Sequence, residues 1–343
     1  MHILIILHLL DYTSGDDSQM LSQGCVLCME GAKMVLFVTG ECGRSCWYCP
    51  LSAERKGTDQ VYANERPVSS DDQVIAEAVM MSALGTGVTG GEPLLVLDRV
   101  VRYTSLLKEA FGPEHQIHLY TGVAPTESDL QAMQGLVDEI RLHPPQECWK
   151  EILSTPFLRS AVRAKELGFA IGVEVPALPG LENLAALLPY LDFMNINELE
   201  WGETNATGMR DRGFELEDDV HNAILGSGEW AAAICDDEKV HWCSSSFKDS
   251  VQLRERLKRI AVNTARDIDE VTPDGTIIYG VCEPNGDPNR VESCLEEGTY
   301  LWCEDHFEVI WWMLAELAPT IDGRCSIVER YPNRGMIVEV TPL

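Results

Sequence analysis

Short, continuous apolar runs alternate with amphipathic stretches from about residue 33 to residue 200. Parallel strands covered on both faces read as such runs. Residues 33–38, 86–89, 116–121, 139–142, 169–175 and 193–198 are predicted as six strands. Between them, 71–84, 97–111, 127–134, 156–167 and 181–188 carry apolar residues at helical spacing. Gly168 follows the fourth of these helices at the position where a glycine usually ends one. Strand–helix alternation implies a parallel α/β sheet. Six units fall short of the eight of a closed barrel.

Beyond residue 200 the pattern changes. Residues 218–234, 250–266 and 307–317 read as helices, the last rich in aromatic residues. Residues 239–243 and 276–281 read as strands, and 326–331 with 335–340 as a hairpin turned at Pro332-Asn333-Arg334-Gly335. The predicted organisation is a barrel-like domain over 20–200 and an α+β extension over 201–343 that closes the open side and shapes the substrate site. Residues 1–10 are apolar but about half the length of a membrane-spanning helix. They lack a basic start, and no small-residue cleavage site follows. Residues 1–19 are read as a non-structural stub or a mis-assigned start, with translation beginning at Met20.

Composition narrows the function classes. The chain has 343 residues, 45% of them hydrophobic, enough for a large core. Its formal charge of −29 argues against the phosphate attraction that nucleic-acid binders use. Twelve cysteines are too few for a disulfide scaffold in a chain this long. The expected compartment is a reducing cytoplasm.

The cysteines carry the candidate chemistry. Cys42, Cys46 and Cys49 follow the first predicted strand with C-x3-C-x2-C spacing. Three thiolates on one loop can hold three irons of a [4Fe–4S] cube, which usually takes four cysteines. One iron is then open to another ligand. A structural zinc site would want a fourth N or S ligand, and none sits at knuckle spacing after Cys49. Gly90-Gly91-Glu92 follows the second predicted strand, 39 residues after Cys49 when counted from Val88. Glycines admit close approach, and Glu92 offers a carboxylate to an ammonium group.

The two marks together resemble those of the radical S-adenosylmethionine (SAM) superfamily. That resemblance implies a partial (β/α)6 TIM-type barrel, which the six units suit. It implies a [4Fe–4S] cluster on Cys42, Cys46 and Cys49 whose open iron binds SAM. Reductive cleavage of SAM then yields a 5′-deoxyadenosyl radical that abstracts hydrogen from a substrate. Gly90, Gly91 and Glu92 would meet the SAM amino group, and Tyr48 would pack on SAM or shield the cluster. Further stretches, among them Gly24-Cys25-Val26-Leu27-Cys28, His118-Leu119-Tyr120-Thr121-Gly122 and Val340-Thr341-Pro342-Leu343, resemble a largely archaeal branch related to the activases of glycyl-radical enzymes. The resemblance implies an electron donor of the ferredoxin or flavodoxin type. The substrate is a protein, a peptide or a small molecule. A tRNA-modifying enzyme and a non-catalytic Fe–S or zinc module are the alternatives. Gly90-Gly91-Glu92 speaks against the module, which has no need of it.

Other residues are weaker candidates. Cys25 and Cys28 form a C-x2-C pair that either stays as free thiols or holds a second Fe–S cluster or zinc, with Cys243 and Cys282 as the candidates to complete it. Cys148, Cys235, Cys294, Cys303 and Cys325 lack paired spacing and are expected as small buried hydrophobes. Glu139 and Arg141 are two apart on one strand and share a side; they are candidates for SAM contacts or a solvated strand end. Gly172 would admit the adenine ring or serve a tight packing contact. His143-Pro144-Pro145 and Phe247-Lys248-Asp249 are candidate substrate contacts. Arg254, Arg256, Lys258, Arg259 and Arg266 could face an acidic partner or a nucleic acid, but they spread round much of a helix and are read as a solvated helix pairing with the excess acid elsewhere.

Overall fold

The computed structural model describes residues 21–343, so the reading of 1–19 lies outside the described residues. The chain forms two compact units. One runs through Val79 and over Ala83–Gln252; the other is Met80–Ser82 with Leu253–Leu343. The sequence reading parted them at residue 200.

The first unit holds a nine-stranded sheet. Its strands are β1 (Lys33–Phe37), β2 (Val61–Ala63), β3 (Arg66–Val68), β4 (Gly85–Thr89), β5 (Gln116–Thr121), β6 (Glu139–Leu142), β7 (Ala170–Pro176), β8 (Phe193–Asn197) and β9 (Val240–Cys243). The order is β3-β2-β1-β4-β5-β6-β7-β8-β9. From β1 through β9 every neighbouring pair on the β4 side is parallel, while β2 and β3 add an antiparallel hairpin at one edge. The predicted six parallel strands are therefore seven, because 240–243 joins β8 instead of belonging to the extension. The sheet is open rather than closed, since β3 and β9 end it.

Local sequence explains these elements. Met34, Leu36 and Phe37 of β1 are fully or nearly fully buried, each contributing about 1.5–3 kcal/mol by leaving water. The Glu127–Met133 helix opens with a reciprocal capping box between Thr126 and Asp129. The Pro156–Glu166 helix begins on a proline and ends before Gly168, whose φ is +91°. Residues 181–190 form a 3-10 helix rather than an α-helix. The predicted helix over 218–234 shrinks to Ser227–Ala232. Gly226, at φ +88°, breaks the run, and the preceding segment makes isolated bridges, Glu200 to Ala223 and Leu216 to Ile224.

The second unit has six strands: β10 (Glu270–Val271), β11 (Ile277–Pro284), β12 (Tyr300–Cys303), β13 (His306–Val309), β14 (Gly323–Arg330) and β15 (Ile337–Pro342). They pair antiparallel in the order β12-β13-β11-β14-β15, with β10 on β11. The β14–β15 hairpin is the predicted one. The predicted aromatic helix over 307–317 divides into β13 and a Trp311–Leu317 helix. Phe307 and Val309 are buried while their neighbours His306 and Glu308 are half-buried, which is strand periodicity. Cys282 and Cys325 are cross-strand neighbours inside this unit's core with Phe307, Val309 and Leu314.

Candidate functional site

The C-terminal ends of the parallel strands converge on a cavity of about 530 Å³. In barrels of this kind function collects at that end. The loop after β1 contributes Cys42, Cys46 and Cys49; the turn after β4 contributes Gly90, Gly91 and Glu92. Thr121 and Gly122 line the cavity from β5, His143 from beyond β6, and Asn197 to Glu200 from β8.

The cysteine loop is tied down at both sides. Gly40 N–H donates to Thr58 O at 2.7 Å, and Gly57 N–H returns a bond to Gly40 O at 2.8 Å. Thr204 Oγ1 donates to Cys49 O at 3.0 Å, and Asn205 Nδ2 to Tyr48 O at 3.2 Å. Trp47 stacks on Phe214 at 5.6 Å and lies 4.2 Å from the Arg212 guanidinium. Sequence reading placed residues 201–214 in an extension and missed this brace; Trp47 was its visible trace. Burial raises the Cys46 thiol, with a hydrogen bond to Tyr48 opposing it. Tyr48 is buried between that thiol and His143, its hydroxyl 3.3 Å from His143 Nε2. Burial also lowers the His143 pKa, and Nδ1 sits 2.8 Å from Glu174 O.

Gly90 and Gly91 are needed by the backbone itself. A Cβ on Gly90 would lie 2.6 Å from Thr39 O, and one on Gly91 would lie 2.3 Å from Glu41 O. Gly91 N–H donates to Thr39 O at 2.6 Å, and Glu92 N–H to Glu41 O at 2.8 Å. The two motifs are thus hydrogen-bonded to each other. The glycines admit the cysteine loop's own backbone, a role the sequence reading gave to a ligand.

Glu92 is almost fully buried at the cavity wall. Its Oε1 accepts from Thr121 Oγ1 at 2.8 Å and Leu94 N–H at 3.0 Å; its Oε2 accepts from Gly122 N–H at 2.8 Å. Burial raises its pKa, and those three donors and Arg44 pull it back down. A carboxylate has about four acceptor sites, so one is left for a cationic group in the cavity.

Three sequence candidates lie elsewhere. Arg141 and Glu139 do share a side of β6, but they do not line this cavity. Arg141 Nε donates to Glu139 Oε1 at 2.6 Å and Nη1 to Glu174 Oε2 at 2.6 Å, all deep inside the sheet. Tyr120, Asn195 and Asn197 also donate to Glu174. The pair is a buried ionic network and neither a SAM contact nor a solvated strand end. Gly172 stands opposite Phe193 on β8, whose ring lies 2.2 Å from where a Cβ would be. Its missing side chain makes room for that ring, not for adenine.

Cys25 and Cys28 lie on the Gln23–Met29 helix. Cys25 Sγ accepts from Asn195 Nδ2 at 3.1 Å and from Arg141 Nη2 at 3.5 Å. Burial raises all three thiols of the proposed set, Cys28 to about 11 and Cys243 to about 12. Cys25, Cys28 and Cys243 do not form a trio of sulfurs within 4.8 Å of one another, as a single zinc ion would need. Cys282, the other sequence candidate, belongs to the second unit's core.

His143 and Lys248, candidate substrate contacts in the sequence, both line the cavity. Lys248 Nζ donates to Glu200 Oε1 at 2.7 Å. Burial by itself would lower its pKa, but the acidic groups around it, Glu200 foremost and Glu174 with it, together raise it. Arg44, Lys56, Glu198 and Glu200 also line the cavity and had not been singled out as individual candidates.

The donor set fits an iron–sulfur cube: three thiols on one braced loop, a shared cavity, and a carboxylate with spare acceptor capacity facing it. Residues 29–143 match the family described as a 4Fe–4S single cluster domain, and residues 275–343 a domain of unknown function, DUF8061. A Methanocaldococcus jannaschii protein provisionally named a glycyl-radical enzyme activating enzyme is 38% identical over 307 residues, covering 84% of this chain and 80% of that protein. Among solved structures, Streptococcus suis SuiB bound to S-adenosylmethionine matches with a TM-score of 0.40 and 11% identity over 62% of this chain and 50% of SuiB. SuiB bound to its precursor peptide SuiA matches at 0.40 and 10%, over 64% and 51%. The chain thus spans about half the length of SuiB. No helix among the described residues is long and apolar enough to cross a membrane. On its 38% identity to the M. jannaschii protein over most of both chains, the chain belongs to the radical SAM superfamily, in a branch like the glycyl-radical enzyme activating enzymes, with a 4Fe–4S domain over residues 29–143.

Proposed function

We propose that the chain generates a radical on a protein or peptide partner by hydrogen abstraction, as the name of its M. jannaschii relative suggests for that protein. The single observation that supports the placement of the chemistry is the cavity shared by Cys42, Cys46, Cys49 and Glu92. Cys42, Cys46 and Cys49 would hold three irons, leaving the fourth for SAM. The bound cluster and SAM together supply a one-electron cleavage that yields a carbon-centred oxidant.

The chain's own residues position and shield. Glu92, held by Thr121, Gly122 and Leu94, offers its remaining acceptor site to the SAM ammonium group. Tyr48 packs beside Cys46 and keeps water from that side. Arg44, Lys56 and the Lys248–Glu200 pair give the cavity both signs of charge, suited to a polar substrate segment. An electron donor of the ferredoxin or flavodoxin type completes the reading. The chain's net charge of −29 favours a protein or small substrate over tRNA.

The test is turnover. Anaerobic, reduced protein with SAM forms 5′-deoxyadenosine, and deuterium from the true partner appears in it. Absence of 5′-deoxyadenosine from a cluster-loaded, reduced sample would overturn the catalytic placement.

A further inference from the structure

Cys303, His306 and Glu308 stand apart from the cluster loop, on the β12–β13 hairpin of the second unit. Cys303 and His306 are cross-strand partners flanking the tight turn at Glu304-Asp305, where Glu304 has φ +52°. Glu308 is two residues beyond His306 and shares its face of the strand. Trp302 and Phe307 pack together on the opposite face, ring centroids 4.6 Å apart. One ligand atom from each of Cys303, His306 and Glu308 lies within 4.8 Å of the other two. Among the described residues no other trio of Cys, His, Asp or Glu meets that criterion.

The carboxylates beside His306 point the same way. His306 Nδ1 lies 2.9 Å from Asp305 Oδ1, which fixes the tautomer and leaves Nε2 as the free ring nitrogen. Metal-bound histidines are typically oriented by such a carboxylate. Nε2 faces Glu308 Oε1 at 3.7 Å. That is close to the ligand–ligand edge of about 3.4 Å that bonds of 2.0–2.2 Å make around tetrahedral zinc. Arg266 pairs with Glu308 Oε2, so Oε1 is the oxygen turned to the imidazole. All three ligands are half-buried.

We propose that Cys303, His306 and Glu308 bind one zinc ion at the tip of the β12–β13 hairpin, with a water in the fourth position. Thiolate, imidazole and carboxylate are all zinc donors, and a mixed set with one sulfur suits zinc better than an iron–sulfur cluster. The ion would tie the two strands together across their turn.

Zinc X-ray absorption of the full-length, cluster-loaded protein tests this, because the zinc edge is blind to iron. The protein is given ZnCl2 and dialysed. The expected result is one retained zinc per chain with one sulfur and the remaining ligands nitrogen or oxygen. Asp305→Asn should weaken zinc binding about 10–100-fold through the imidazole's orientation, and His306→Gln should weaken it further. No retained zinc, a shell with two or more sulfurs, or zinc binding unmoved by His306→Gln would each overturn the site. The wild-type spectrum keeps the test decisive even if a variant folds poorly.

Discussion

Glu92, in the turn after β4, accepts a hydrogen bond from the hydroxyl of Thr121, at the end of β5, at 2.8 Å. A charged, buried acceptor is thereby fixed by the neighbouring strand before any ligand arrives. Glu92→Gln keeps the side chain's size and removes the charge. A hydrogen bond to a charged group contributes about 1.5–3 kcal/mol, so SAM affinity should fall roughly 10–100-fold. Equilibrium binding of SAM to the cluster-loaded variant checks this, and iron content should be unchanged.

The contact between Gly91 and Glu41 links the two motifs. Gly91→Ala places a methyl group 2.3 Å from a backbone oxygen, where nothing flexible can yield. Overpacking of this kind costs about 1–3 kcal/mol. The loop must shift, so both the thermal midpoint and the iron retained after anaerobic desalting should drop.

Arg141 bridges Glu139 and Glu174 inside the sheet. Removing one member of a buried ionic set leaves the others uncompensated, at about 3–5 kcal/mol. Arg141→Ala should lose stability on that scale in urea unfolding, and Glu174→Gln added to it should restore part. A loss below about 1 kcal/mol, typical of exposed pairs, would contradict the network. Because Cys25 Sγ already accepts from Arg141 and Asn195 and forms no close ligand trio with Cys28 and Cys243, the Cys25→Ala/Cys28→Ala variant should keep its full iron and zinc content.

His115 is buried against Thr86, its Nε2 2.8 Å from the hydroxyl. Burial, then the charges of Lys33 and Lys108, lower its pKa from 6.5 to about 4. The folded value is depressed, so the unfolded chain takes up the proton first as pH falls. The stability contribution is complete above pH 6.5 and is lost as pH falls toward 4. His115→Gln should flatten the stability curve across that window, read by unfolding at a series of pH values.

Much of the site was legible because it is local. Cys42, Cys46 and Cys49 share one loop after the continuous apolar run 34–38, and Gly90-Gly91-Glu92 share one turn after a short strand. What was not legible depends on partners far apart in sequence. Residue parity put Glu139 and Arg141 on one side of β6, but only the fold brings Glu174 to neutralise Arg141. Gly172 carries no sign that Phe193 on the next strand fills its space. The strand at 240–243 follows β8 by more than forty residues of mostly irregular chain, so its parallel pairing left no periodic trace. Cys303 looked like a lone thiol, because its partners His306 and Glu308 come together only once the hairpin forms.

The most direct measurement is electron paramagnetic resonance of anaerobically reconstituted, reduced protein, with and without SAM. The account predicts a [4Fe–4S] signal that shifts when SAM is added and is absent from the Cys42→Ala/Cys46→Ala/Cys49→Ala variant. A signal indifferent to SAM, or an unchanged cluster in that triple variant, would contradict it.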